Sequence, residues 1–153
     1  MERISEHVSY KEGVRSNTAT RLDIDNTPDG YAEANMAAIA YNIFEPLRKW
    51  VGGPIKINSF FRSKKLNKAI GGSSRSQHCQ GRAMDLDDTF GHKTNAEMFN
   101  YIADNLNYDQ IIWEFGDDEN PDWVHVSYVS EDENRGRALR AYKEKGKTKY
   151  LML

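Results

Sequence analysis

The stretch SQHCQGRAMDLD, residues 76–87, places a histidine and a carboxylate on either side of a glycine. Its last part, residues 83–86, has the apolar character of a strand. His78 and Asp85 would lie about 23 Å apart in an extended chain, at roughly 3.3 Å per residue. The segment must therefore fold back if the two side chains are to meet, and Gly81 can supply the positive φ of that reversal.

A second histidine lies in the alternating segment WVHVSYV, residues 123–129. Successive side chains of a strand point to opposite faces, so Val124 and Val126 should enter the core while His125 faces the other way. The segment QIIWEF, residues 110–115, predicts a partner strand, and the polar loop 116–122 between the two predicts a hairpin.

The remaining patterns predict helices that precede most of the strands. Apolar residues recur at three- and four-residue steps from Tyr31 to about Trp50, where Gly52, Gly53 and Pro54 end the helix. A strand at 55–60, a short helix capped by Ser63 and a helix over about 95–106 follow. This order predicts an α+β fold with helices packed on one face of a small antiparallel sheet.

Length and composition limit the organisation of the chain. At 153 residues it suits a single domain over 1–153, for which we expect a monomer. Residues 1–30 are polar and turn-rich and predict an irregular leader, and residues 135–153 predict a basic, solvated C-terminal tail. The single Cys79 excludes an internal disulfide and fits a small buried thiol.

The charge and hydropathy patterns argue against two classes of partner. A formal net charge of −2 gives no field that would gather nucleic acid, even though the tail is basic. No apolar run has the length of a membrane span or a signal peptide, so we expect synthesis in the cytoplasm and no membrane partner.

The residues that could form a metal site are two histidines and one aspartate. Catalytic zinc is held by three nitrogen or oxygen ligands and keeps a fourth position for water. His78, Asp85 and His125 offer this donor set if the fold brings them together. Either histidine alone is more often structural, whereas the joint pattern of Ser76, His78, Gly81, Ala83 and Asp85 followed by a WxHxS strand is specific.

These motifs resemble those of the M15 zinc peptidases, a family of D-alanyl-D-alanine carboxypeptidases, dipeptidases and phage endolysins that shares its fold with the hedgehog signalling domain. The resemblance runs from about Pro28 to Tyr128 and rests on NSFFRS, SQHCQGRAMDLD, QIIWEFG and DWVHVSY. It implies His78, Asp85 and His125 as zinc ligands, and Arg62 as a substrate or oxyanion contact.

Two carboxylates compete for the role of general base. Asp122 stands three residues before His125, as in several family members, and is the first choice from the sequence. Glu114 is the rival, because a hairpin could set it opposite His125 and because a carboxylate among apolar residues is costly without a purpose. Both could act, one as base and the other as orienter of a ligand.

The implied activity is hydrolysis of peptidoglycan stem peptides, at D-Ala-D-Ala or between L-Ala and D-Glu. Ser76 is a further candidate for substrate contact, with turn formation as the alternative. A catalytically silent zinc-binding module of the same fold, such as a virion component, is the competing function. The enzyme would act on the cell wall, reached by release through a holin pore or as part of a virion.

Overall fold

The computed structural model describes residues 2–153. Its helical segments are α1 (Tyr10–Val14), α2 (Asn17–Leu22), α3 (Gly30–Ile39), a π-helical segment (Ala40–Phe44), α4 (Glu45–Val51), α5 (Lys64–Ala69), a 3₁₀ helix (Gln77–Gln80) and α6 (Asn95–Asn105). Its strands are β1 (Arg3–Ser5), β2 (Val8–Ser9), β3 (Lys56–Ser59), β4 (Ala83–Asp87), β5 (Gln110–Glu114), β6 (Trp123–Ser127), β7 (Arg137–Glu144) and β8 (Lys147–Met152).

Six of the strands form one mixed sheet in the order β3-β4-β6-β5-β7-β8. All neighbours are antiparallel except β5 and β7, which run parallel. The predicted hairpin of β5 and β6 is confirmed, with Ile112 opposite His125 and Glu114 opposite Trp123. The predicted α+β class is confirmed, although the sheet is larger than expected and is not purely antiparallel.

The two faces of this sheet have different roles. One face packs on the helices, and its fully buried members include Met84, Leu86, Val124 and Val126. Because side chains alternate along a strand, the residues between them, Asp85 and His125 among others, point to the opposite face. The predicted core positions of the two valines are therefore confirmed, and the polar face remains available for chemistry.

The principal helical segment runs from Gly30 to Val51, as the periodicity predicts, with a π-helical turn in its middle. Asp29 caps it, since its side chain accepts a hydrogen bond of 2.8 Å from the amide of Ala32. Gly52 ends it in the left-handed conformation, at φ 79°. Within residues 2–153, no helix is both long and apolar enough for a membrane crossing.

The predicted irregular leader is wrong. Residues 3–22 form the β1–β2 hairpin and the short helices α1 and α2. Ser9 and Ser16 cap the two helices, and Ile4 and Val8 are buried in the main core. Elements of two to six residues are too short to produce a readable hydrophobic period, and their structure depends on caps and tertiary burial.

The prediction of a solvated C-terminal tail is also wrong in its main point. Residues 137–152 form the hairpin β7–β8, which extends the sheet beside β5. The charged residues from Lys143 to Lys149 remain in solvent, whereas Arg137 and Arg140 are partly buried and Leu139 and Ala141 are buried. A period of two was present in this segment but was obscured by its six basic residues.

Asp109, just before β5, ties several of these segments together. Its carboxylate is almost fully buried and accepts hydrogen bonds from the side chains of Arg135, Gln77 and Ser127. Burial favours a raised pKa, but the hydrogen bonds from Arg135 and Gln77 outweigh it and hold the pKa of Asp109 at about 2. The folded state therefore stabilises the charged form of Asp109 more than the unfolded chain does.

We expect Asp109→Asn to lower the free energy of unfolding at pH 7 by about 1 to 2 kcal/mol, a value reduced because Arg135 is half exposed to water. An ordinary aspartate has a pKa of about 3.9, so this stabilisation is complete above that pH and is lost as the pH falls towards 2. Urea unfolding between pH 7 and pH 3 should show the difference from wild type shrinking.

Asp118→Asn is the matched control, because Asp118 pairs with Arg140 at the surface and is 91% exposed. Such a pair contributes little. An equal loss in both variants, or a loss for Asp109→Asn that does not change with pH, would contradict the assignment.

Candidate active site

His78 is presented by the 3₁₀ helix, whose two ends are fixed by neighbouring residues. At its start the hydroxyl of Ser76 accepts a hydrogen bond of 3.2 Å from the amide of His78. At its end Gly81 adopts φ 74°, and a Cβ atom at that position would lie 2.5 Å from the carbonyl oxygen of Ala32. The predicted reversal at Gly81 is therefore confirmed, and it returns the chain into β4.

The imidazole of His78 is buried and oriented by the backbone. Its Nδ1 lies 2.7 Å from the carbonyl oxygen of Phe60, so Nδ1 carries the proton and donates it to that oxygen. Its Nε2 lies 3.3 Å from Oδ1 of Asp85. Burial lowers the pKa of His78, although the nearby charge of Asp85 opposes that shift. A neutral ring in this tautomer directs the lone pair of Nε2 at the carboxylate.

Asp85 and His125 face each other directly across β4 and β6. Nδ1 of His125 lies 2.9 Å from Oδ1 of Asp85. Burial would raise the pKa of Asp85, but the nearby imidazoles of His78 and His125 hold it far below its usual range. Asp85 is therefore ionised, and one of its oxygens is shared by both imidazoles.

The three side chains form a group with the chemistry of a divalent metal site. One ligand atom from each of His78, Asp85 and His125 lies within 4.8 Å of the other two. Nε2 of neutral His78 and Oδ1 of Asp85 face each other with no proton between them, an arrangement that a cation relieves. Two imidazole nitrogens and one carboxylate oxygen match the donors that zinc prefers. The residues present therefore fit the metal that the sequence motifs imply.

Arg62 supports this group from the end of β3. Its Nη2 donates a hydrogen bond of 3.3 Å to Oδ2 of Asp85, the oxygen turned away from the histidines. Its Nε donates to Ser59 and its Nη1 to Asn67, at 3.0 and 3.3 Å. These bonds use three of the five N–H groups of a guanidinium. Two donors remain for a ligand in the cleft that Arg62 lines.

Glu114 lies at the end of β5 on the same face as His125 and lines the same cleft. The register sets it opposite Trp123, so it is diagonal to His125, at about 7 Å, rather than directly opposite as the sequence suggested. Its side chain is mostly buried, and within residues 2–153 no protein group hydrogen-bonds to its carboxylate, whose oxygens stay accessible from the cleft. Burial, reinforced by the charge of Asp85 and opposed by His125 and Arg62, raises the pKa of Glu114 to about 7.

Asp122 stands elsewhere. It is exposed, it lies in the bend that precedes β6, and it is not among the residues that line the cleft. Its backbone takes part in the hairpin, where its amide donates a hydrogen bond of 2.9 Å to the carbonyl oxygen of Glu114. This geometry favours Glu114 over Asp122 as a group acting in the cleft, the reverse of the preference from the sequence.

The cleft above the three candidate ligands has a volume of about 460 Å³. Ser76 lines it and also caps the 3₁₀ helix, and its contact with substrate stays a prediction. Two further lining residues, Arg135 and Tyr150, come from the segment predicted as solvated tail. Sequence reasoning missed them because only the parallel pairing of β5 with β7 brings that segment to the site.

The remaining histidines and the cysteine lie outside this group. His7 hydrogen-bonds to Glu45 at 2.6 Å and so connects the β1–β2 turn to α4. Glu6, His7 and Glu45 together form a second, largely exposed group of possible metal ligands. His92 is exposed. Cys79 is partly buried rather than fully buried as predicted, and burial raises the pKa of its thiol.

The comparisons with known proteins agree with this geometry. A search of curated protein sequences gave no match. The family model of Peptidase M15 matches residues 6–127, which include His78, Asp85, Glu114 and His125. Since that match covers most of the chain, the protein belongs to the M15 peptidase family.

Proposed function

We propose that this peptidase is zinc-dependent and hydrolyses the stem peptides of peptidoglycan. The observation that supports it most is the convergence of His78, Asp85 and His125 at the floor of an open cleft, beside a buried carboxylate that has no hydrogen-bond partner. A group of nitrogen and oxygen donors beside a carboxylate with a shifted pKa is typical of a hydrolytic metal centre.

The ion would be held by Nε2 of His78, Oδ1 of Asp85 and Nδ1 of His125. When bound, zinc lowers the pKa of water towards ~7 and polarises a carbonyl group. Phe60 fixes the tautomer of His78 through its carbonyl oxygen, and Arg62 fixes the orientation of Asp85. Such supporting contacts hold ligand atoms in place and are part of a metal site in the same way as the ligands.

Glu114 is the proposed general base. Its pKa of about 7 allows the carboxylate to take a proton from the attacking water near neutral pH and to return it to the departing amine. Its place on the face of β5 that carries no helices directs the carboxylate into the cleft. Asp122 does not line the cleft, and we propose no catalytic role for it.

Arg62 is proposed to act in two ways. It orients Asp85, and its two remaining donors can stabilise negative charge that develops on the substrate carbonyl oxygen. Ser76 lies in the same cleft and can donate its hydroxyl to a peptide group while it accepts from the amide of His78.

The substrate class rests on the resemblance to the wall-lytic members of the family and on the polar, arginine-bearing cleft. Both bonds considered from the sequence, D-Ala-D-Ala and L-Ala to D-Glu, stay within the proposal. In a catalytically silent zinc-binding module Glu114 would have no function, because a poorly solvated carboxylate without a partner lowers the free energy of unfolding and does not bind the metal.

Metal removal tests the proposal. Treatment with a chelator is expected to lower hydrolysis of purified peptidoglycan more than 100-fold, because the ion that activates water is removed. One equivalent of zinc should restore the activity. His125→Ala should lose zinc binding while His92→Ala, a change at an exposed histidine, should keep it. Full lytic activity in the chelated protein would contradict the proposal.

Comparison of the two carboxylates tests the assignment of the base. Glu114→Gln is expected to lower kcat by about 10²- to 10⁴-fold, the usual contribution of a general base, with zinc content unchanged. Asp122→Asn should stay within a factor of a few of wild type. Strong loss in Asp122→Asn with activity retained in Glu114→Gln would reverse the assignment, and equal inactivity of both would favour the silent module.

The stability of the metal-free proteins provides the control for folding. The raised pKa of Glu114 means that the folded state disfavours its charged form, so wild type should lose stability as the pH rises from about 4.5 through 7. Glu114→Gln lacks that charge. Its melting temperature should match wild type near pH 4 and exceed it at pH 8.

A further inference from the structure

We propose that Arg135 binds a carboxylate of the substrate at a position away from the bond that is cut. This inference deepens the proposed function and rests on it. It assigns a recognition role to a residue that lies outside the segment matched by the family model, in the chain between β6 and β7.

The first observation is that the guanidinium of Arg135 is held in one orientation. Its Nε lies 3.0 Å from Oδ1 of Asp109 and its Nη2 lies 2.7 Å from Oδ2, which is a two-pronged pairing. The amide of Arg135 also donates to Oδ1, at 3.0 Å. Asp109 is 1% exposed, so the carboxylate that holds the arginine is itself immobile. An arginine fixed in this way loses little further entropy when it binds a ligand.

The second observation is that this guanidinium still has donors to offer. Of its five N–H groups, the bonds to Asp109 use two. Within residues 2–153, no acceptor is bonded to its Nη1. The side chain is 48% exposed and lines the cleft that holds His78 and Glu114. The free edge of the guanidinium is therefore available to a ligand in that cleft.

The third observation is the distribution of charge in the cleft. Among the residues that line the cleft, Asp85 and Glu114 are buried, whereas Arg75 and Arg135 are exposed, so a carboxylate on the substrate is attracted to the arginines and repelled from the general base. Gln77 donates a hydrogen bond of 3.0 Å to Asp109 and directly precedes His78 in the chain. The position of Arg135 is thus fixed relative to the candidate metal ligands.

A purely structural role for Arg135, neutralising buried Asp109, makes a different prediction. In that case its removal changes stability but leaves the choice among substrates unaltered. The test therefore compares substrates that differ only in charge. One stem peptide is used in three forms: with free carboxylates, with the carboxylate of the D-glutamyl residue amidated, and with the C-terminal carboxylate amidated.

Arg135→Gln alone leaves Asp109 buried without its partner, which is strongly destabilising. The double variant Asp109→Asn/Arg135→Gln avoids this by removing both charges, and its melting temperature checks the fold. Zinc content checks the metal site. Arg140→Gln is the matched control, since Arg140 pairs with exposed Asp118 and does not line the cleft.

We expect wild type and Arg140→Gln to cleave the free acid with a kcat/KM about 10- to 100-fold above that of one amidated form, mainly through KM. The form that loses activity identifies the carboxylate. The double variant should cleave all three forms about equally. A preference that survives in the double variant, or no preference in wild type, overturns the inference alone. No cleavage of any form by zinc-loaded wild type overturns the proposed function as well.

Discussion

The site depends on one feature of the sheet, the antiparallel register that sets Asp85 of β4 opposite His125 of β6. A slip of one residue would place Asp85 and His125 on opposite faces, turning one of them towards the helices and bringing Met84 or Val124 to the polar face. The register is secured from the other side, because the apolar residues that alternate with the ligands are fully buried in the core. The packing of an ordinary hydrophobic core thus determines where the metal ligands meet.

Several carboxylates of the chain lie in poorly solvated positions, and they differ in the partners that surround them. Asp85 pairs with Arg62 and lies beside two imidazoles, and Asp109 pairs with Arg135. Glu114 has no such partner, so it resists ionisation and carries a pKa near neutrality. In the proposed mechanism Glu114 takes up and returns the proton, and the stability that its burial costs is consistent with that role.

Much of this arrangement could be predicted from the sequence. The reversal at Gly81, the hairpin of β5 and β6 and the inward-facing valines follow from backbone conformation and side-chain alternation, which are local properties. The choice between Glu114 and Asp122 could not be predicted, because Asp122 lies in a bend outside β6, where side-chain alternation gives no direction. Arg135 was missed because its place depends on a parallel pairing between distant segments, for which the sequence contains no local signal.

The central claim is that His78, Asp85 and His125 bind one zinc ion together. X-ray absorption spectroscopy at the zinc edge of the protein loaded with one equivalent of metal tests it most directly. The account predicts a first shell made only of nitrogen and oxygen at about 2.0 to 2.2 Å, with the multiple-scattering signature of two imidazoles. A sulfur ligand at about 2.3 Å, which would place Cys79 on the metal, or a single imidazole in the shell, would contradict it.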